Sequence, residues 1–122
     1  MSYFMGFVGA VPIENRAAFV THAEAAWEKL FKPLGALSVT ETWGDDVPDG
    51  EVTSFPMAVK CAPGEAVVLS WIEWPDKETY QAAHERMMSP EFAEAMGAMG
   101  DMPFDGQRAI FGGFVPVLAR RA

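Results

Sequence analysis

Two pairs of side chains offer the most chemistry in this sequence. Glu41 and Trp43 are two residues apart, as are Trp71 and Glu73, and in an extended strand that spacing puts both members of a pair on one face. A carboxylate beside an indole can donate or abstract a proton on a molecule lying against the ring. On a helix-packed face an unpartnered carboxylate would be expensive to desolvate, whereas a wet cavity would keep it charged or raise its pKa. The pairs nominate Glu73 and Glu41 as the acid/base and Trp71 and Trp43 as the wall of a ligand site. The competing expectation is that both acids sit near strand ends in bulk water, where Glu usually lies. Arg108 is the candidate anchor for a ligand carboxylate, with Asp105 as its alternative partner across a turn. Met87 heads a run with Met88, Met96, Met99 and Met102, flexible thioethers that suit an adaptable apolar pocket or ordinary core filling.

Other reactive residues lack companions. His84 falls on the apolar stripe of a helix without a neighbouring His or Cys, which favours a core or partly exposed imidazole over a ligand. His22 flanks the apolar face of an earlier helix and is expected at the surface. Asp45, Asp46, Asp49 and Glu51 resemble a hard-cation loop, yet with Asp45 first the third position is Val47 and the twelfth is Pro56, where Ca²⁺ loops need carboxylates. A solvated turn fits better, and no bound metal is expected. Cys61, beside Lys60, reads as a plain reduced thiol. Phosphate-binding loops, dinucleotide fingerprints, nucleophile elbows and paired-cysteine zinc spacings do not occur.

Positioning these residues requires a sheet and helices in a definite order. Residues 3–11 are apolar at both parities, as expected of a strand covered on both sides. A helix follows Pro12, with Phe19, Ala23, Ala26, Trp27, Leu30 and Leu34 at three- and four-residue steps, and Pro33 and Gly35 close it. Residues 36–43 alternate like an edge strand, and 45–51 form a loop. Residues 55–62 and 66–74 are two strand-like runs around Pro63-Gly64, the spacing of a hairpin. Asp76 then caps a helix with Tyr80, Ala83, His84, Met87 and Met88 on one stripe, and Ser89-Pro90 opens a shorter one. Residues 108–118 make the last strand, where Gly112-Gly113 marks a bulge or a close backbone approach. This order predicts an α+β fold, the ferredoxin-like split β-α-β arrangement with an extra hairpin strand, as one domain over residues 1–122.

Composition narrows the function. Half of the 122 residues are hydrophobic, and 9 basic against 17 acidic side chains give a net charge of −8, so a polyanionic nucleic acid would be repelled. The apolar start has no basic leader and is far too short for a membrane span, and a single cysteine suits a reducing, cytoplasmic setting. Strands apolar on both faces leave one sheet face uncovered by the available helices. A second copy across a twofold axis is the expected cover.

Several longer motifs carry a family resemblance. Residues 43–50 (WGDDVPDG), 70–75 (SWIEWP), Met87-Met88, 102–106 (MPFDG) and the stretch from Arg108 through Gly112-Gly113-Phe114 resemble the YbaA-like family of small bacterial proteins, whose function is uncharacterised. The resemblance implies a dimeric α/β barrel, in which two ferredoxin-like sheets close face to face. Proteins of that architecture include cofactor-free monooxygenases, lactone isomerases, haem-binding and haem-degrading proteins and non-catalytic ones, so architecture alone assigns no activity. The haem-degrading kind combines an Asn on the first strand, a Trp on the third and a His on the second helix. Trp71 or Trp74 and His84 fill two of those places, but residues 3–11 hold no Asn, which leaves haem a minor alternative. The leading expectation is a homodimeric, cofactor-free enzyme or binder for a small, partly apolar organic molecule held between sheet and helices. A non-catalytic ligand-binding or structural homodimer is the alternative, and an open cavity is what separates the two.

Overall fold

Strand β1 (Tyr3–Pro12) lies at the centre of the sheet. It pairs antiparallel along ten residues with β3 (Glu65–Trp74), from Tyr3 opposite Trp74 to Pro12 opposite Glu65. The long connection that precedes β3 leaves β2 (Ser38–Glu41) on its free edge, with Val39 opposite Ile72 and Glu41 opposite Ser70. On the far side of β1, β4 (Ile110–Phe114) completes the order β2-β3-β1-β4, every neighbour antiparallel. The computed structural model describes residues 1–98 and 100–122, so Met99 lies outside the described residues. The connections carry helices α1 (Arg16–Ala26), α2 (Phe55–Ala58), α3 (Lys77–Met87) and α4 (Pro90–Ala98).

Local chemistry explains where the long helices stop and start. After Ala26, helix α1 widens into a π-turn over Trp27–Phe31, with the Lys32 and Ala36 amides reaching the carbonyls five residues back at 3.0 Å each. Gly35 ends this segment at φ +109°, a left-handed conformation that glycine adopts without steric cost. A Cβ there would also lie 2.8 Å from Thr79 Cγ2, so glycine lets α3 approach. Asp76 caps α3 by accepting the Thr79 amide at 2.7 Å.

One expected element is corrected. Residues 55–62 do not form a hairpin strand, so the sheet has no extra strand there. Ser54 accepts the Met57 amide at 3.2 Å and Pro56 sits in the first turn, a start that suits a helix and supplies no ladder donor. Lys60 at φ 49° then breaks the chain direction, and Pro63-Gly64 turns a loop into β3. Gly112-Gly113 marks a close approach, because a Cβ at Gly113 would come within 2.5 Å of Tyr3 Oη.

Alternation along β1 and β3 gives the sheet two apolar faces. Toward the helices, Trp74 and Ile72 pack with Ala36 and Ala83, ringed by Tyr3, Trp27, Tyr80 and Met87. The Trp74 ring is wholly buried and meets Tyr80 edge-on at 6.0 Å. Val11, Phe19 and Val68 form a second cluster, with Phe7, Trp43 and Phe104 around it. On the opposite face α2 and its flank cover one end, where buried Val59 rests on Ala10 and Val67. Beyond that end, Leu69 and Trp71 are each 38% exposed, Ile110 47% and Phe114 61%.

A clasp holds the segment before β4 against the start of β3. Arg108 donates to both Glu65 carboxylate oxygens at 2.7 Å, to the Lys60 carbonyl at 2.8 Å and to Asp105 at 3.1 Å. The Arg108 bonds to Glu65, with one accepted from the Ala62 amide at 2.7 Å, hold the Glu65 carboxyl down to about 2, so its contribution to stability is present above the ordinary value of 4.5 and disappears as pH falls from there toward 2. Glu65→Gln should therefore lower the melting temperature at neutral pH and flatten its decline between those two pH values, as followed by circular dichroism. An unchanged acid limb would show that the clasp contributes nothing to folding.

Candidate functional site

Between the sheet and its helices lies a cavity of about 170 Å³. Met5 and Phe7 of β1 and the Ser70–Ile72 stretch of β3 form its floor, and Phe19 and Ala23 of α1 its side. Phe92 and Met96 of α4, with Met102 and Phe104 of the following loop, close the top. Among the described residues the lining is apolar except for three side chains, Glu41, Ser70 and His22.

Each polar group arrives by a different route. Glu41 ends β2, and its register opposite Ser70 turns it to the helix side. The residue as a whole is exposed at the sheet edge, yet burial around its carboxyl raises the pKa, an effect partly offset by a hydrogen bond with Ser70. Ser70 is itself buried, at 5% exposure. His22 comes from α1, and burial lowers its pKa, which keeps the imidazole neutral at neutral pH. Its Nε2 is buried without a hydrogen-bond partner. Such a group costs the fold about 1–3 kcal/mol relative to a satisfied one.

The nominated residues are not brought together. Glu41 borders the cavity. Trp71 contributes its stretch of β3, but alternation sends the ring to the opposite face with Thr40 and Gly6 as register partners. Glu73 lies on that face too, and accepts a hydrogen bond from Ser2 Oγ at 2.5 Å. Trp43 shares the helix side with Glu41, but stands outside the cavity lining, 6.1 Å from the Phe19 ring with the Arg16 guanidinium 5.3 Å above it. Arg108 is held in its clasp, with four of its five donors bonded to Asp105, Lys60 and Glu65. Met87 packs under Trp74 rather than in the cavity, whereas Met96 and Met102 line it. The two Glu–Trp pairs therefore face opposite ways and cannot form one constellation.

His22 corrects the surface expectation. It lies three residues after Phe19 and four before Ala26, the two buried positions of α1, so helical periodicity already placed it beside the core stripe. His84 stacks on Tyr80, ring centroids 6.0 Å apart. The Cys61 thiol is pushed up by burial and then by the Glu65 charge, away from the reactive thiolate. Asp45 and Asp49 border an open groove with Cys61, and among the described residues no three His, Cys, Asp or Glu side chains converge as a metal site would require.

A four-stranded antiparallel sheet in the order 2-3-1-4, with its long helices packed on one face, defines a ferredoxin-like α+β protein. Solved structures share that fold. A dimeric ferredoxin-like protein from an uncultured marine organism superposes with TM-score 0.59 at 12% identity, covering 98% of this chain and 100% of that one. A monooxygenase from ActVA-Orf6 of Streptomyces coelicolor, in complex with nanaomycin D, gives 0.52 at 17% identity, covering 98% and 91%. Sequence comparison is more specific. The chain belongs to the protein-of-unknown-function family DUF1428, which residues 2–106 match. It is 48% identical over 118 residues to the uncharacterized protein YbaA of Escherichia coli K12, spanning 97% of this chain and 98% of that protein.

A carboxyl with a raised pKa favours folding while it is neutral and disfavours it once ionised. Wild type should accordingly lose stability as pH climbs past the ordinary 4.5 through the raised value, and Glu41→Gln should not. The two proteins should melt together near about pH 4, with the variant a few degrees higher at about pH 7. Coincident melting at both pH values would mean that the carboxyl is fully solvated.

Proposed function

We propose that this protein is a homodimer that takes a small, partly apolar organic molecule into the cavity between sheet and helices and acts on it by proton transfer at Glu41, without a cofactor. The cavity carries this reading. An apolar chamber with a few convergent polar groups and a carboxyl of raised pKa is the usual form of a small-molecule site. Desolvation brings a carboxyl closer to neutrality, where one side chain can serve as acid or base at working pH. Ser70 and the sheet edge orient Glu41, and the aromatic lining supplies binding. The monooxygenase of the same fold, which holds nanaomycin D, is consistent with a small organic ligand in such a framework.

Dimerisation explains the other face. A sheet face that leaves Leu69, Trp71, Ile110 and Phe114 in water is an apolar patch of the kind that marks an interaction surface. A second copy placed face to face across a twofold axis covers this surface with its own equivalent and closes the barrel. Trp71 then belongs to the space between the sheets, with Glu73 toward its rim.

Two measurements check the two halves of the proposal. Calorimetry should detect binding of single-ring aromatics such as toluene, and Ala23→Phe, which fills the cavity from α1, should weaken it at least about tenfold, a loss of about 1.4 kcal/mol. Absence of binding to wild type would sink the ligand reading. Light scattering should give twice 13.3 kDa, and Leu69→Glu should give the single-chain mass with the far-ultraviolet spectrum intact. A wild-type monomer at low micromolar concentration would refute the dimer.

A further inference from the structure

A groove of about 180 Å³ adjoins the cavity where the π-turn, α3 and α4 meet. Leu30 and Phe92 line both spaces, so these two side chains form a shared wall. Leu30 is buried, whereas α4 buries none of its described residues and leaves Phe92 half-buried. Lys29 of the π-turn and Arg86 of α3 border the groove and not the cavity. Resting on the reading of the cavity as a ligand site, we propose that the groove is its anion subsite. The ligand is then a carboxylic acid whose apolar body lies in the cavity past Phe92 and whose carboxylate stays outside on Lys29 and Arg86.

Charge selects this class. Lys29 and Arg86 are exposed, and among the described residues neither enters an ion pair; Glu28, next to Lys29, pairs with Lys32 at 3.8 Å. In a chain with a net charge of −8, two of the nine Lys and Arg side chains thus stand unpaired beside one small groove. Their long apolar stems let both charged heads turn across its mouth. The first turn of α4 contributes the positive end of a helix dipole. Glu91 is the one acid among the described lining residues, so the charged side chains leave a single positive charge. A carboxylate matches that charge, whereas a phosphate dianion exceeds it and an ammonium would meet two like charges. Glu41 borders the cavity and not the groove, so a carboxylate held outside is kept apart from it. Size agrees, because the cavity measures about 170 Å³ and an apolar protein cavity of about 150 Å³ is enough to bind benzene. A partly exposed side chain changes rotamer rapidly, so Phe92 can open the shared wall while buried Leu30 stays in place.

Calorimetry on the full-length protein with hydrocinnamate, its neutral amide hydrocinnamide, and toluene tests the assignment. Wild type should bind the acid about fivefold more tightly than the amide at low salt, with the preference shrinking as ionic strength rises. The double variant Lys29→Gln, Arg86→Gln changes two exposed side chains without ion pairs, and should bind acid and amide alike while its affinity for toluene is unchanged. Ala23→Phe should weaken hydrocinnamate as it weakens toluene, because both place a ring in the cavity. Met96 borders the cavity and not the groove, so its methyl resonance should move with hydrocinnamate and with toluene but not with acetate, a measurement that stands if Ala23→Phe does not fold. Equal binding of acid and amide to wild type, or a preference that survives in the double variant, would overturn the carboxylate assignment and leave the cavity reading in place. A hydrocinnamate affinity untouched by Ala23→Phe, or a Met96 methyl that ignores the acid, would confine the ligand to the groove and overturn the proposal. Failure of toluene, acid and amide alike to bind wild type would overturn the cavity reading and this inference with it.

Discussion

The ten-residue antiparallel ladder between β1 and β3 is the constraint on which the rest of the molecule depends. Because side chains alternate along a strand, opposing Tyr3 to Trp74 also decides the face of every residue on both strands. Tyr3, Met5 and Phe7 join Ser70, Ile72 and Trp74 under the helices, while Val8, Leu69 and Trp71 are sent to the other side. A slip of one residue would bury Glu73 and Trp71 against α3 and expose Trp74, at a cost the fold could not sustain. The same register carries β2 with it, so that Glu41 meets Ser70 rather than solvent alone.

Stability and function divide the helix side of the sheet between them. At one end Trp74 is wholly buried in its cluster, and Tyr3, Tyr80 and Met87 close around it. At the other, the residues between β1, α1 and α4 leave a chamber that His22 and Glu41 border. An unpartnered imidazole nitrogen and a carboxyl of raised pKa both work against folding. The dense cluster supplies the surplus that lets the chamber keep them. The Arg108 clasp makes a further contribution by tying the chain before β4 to Glu65, which holds the last strand on β1 without an element of its own to cover it.

Much of this protein was legible in its sequence because the signals were periodic and local. Apolar residues at both parities in β1, the three- and four-residue steps of α1 and the Asp76 cap of α3 each follow from neighbours within a few positions. The strand and helix order, and with it the ferredoxin-like class, followed from those signals, and the long motifs placed the chain in its family. Residues 55–62 misled because their apolar content suits a strand, while the Ser54 cap and Pro56 act at single positions that the periodicity of the run does not register. What tertiary structure alone decided is which chemistry-bearing side chains meet. Glu41 and Glu73 have the same spacing from a tryptophan, yet cross-strand register, a relation between residues about thirty apart, sends one to the cavity and the other to the opposite face. His22 stood beside the core stripe of α1, and became a candidate site residue only because α4 and the loop holding Phe104 close over it, a long-range packing event that no local pattern encodes.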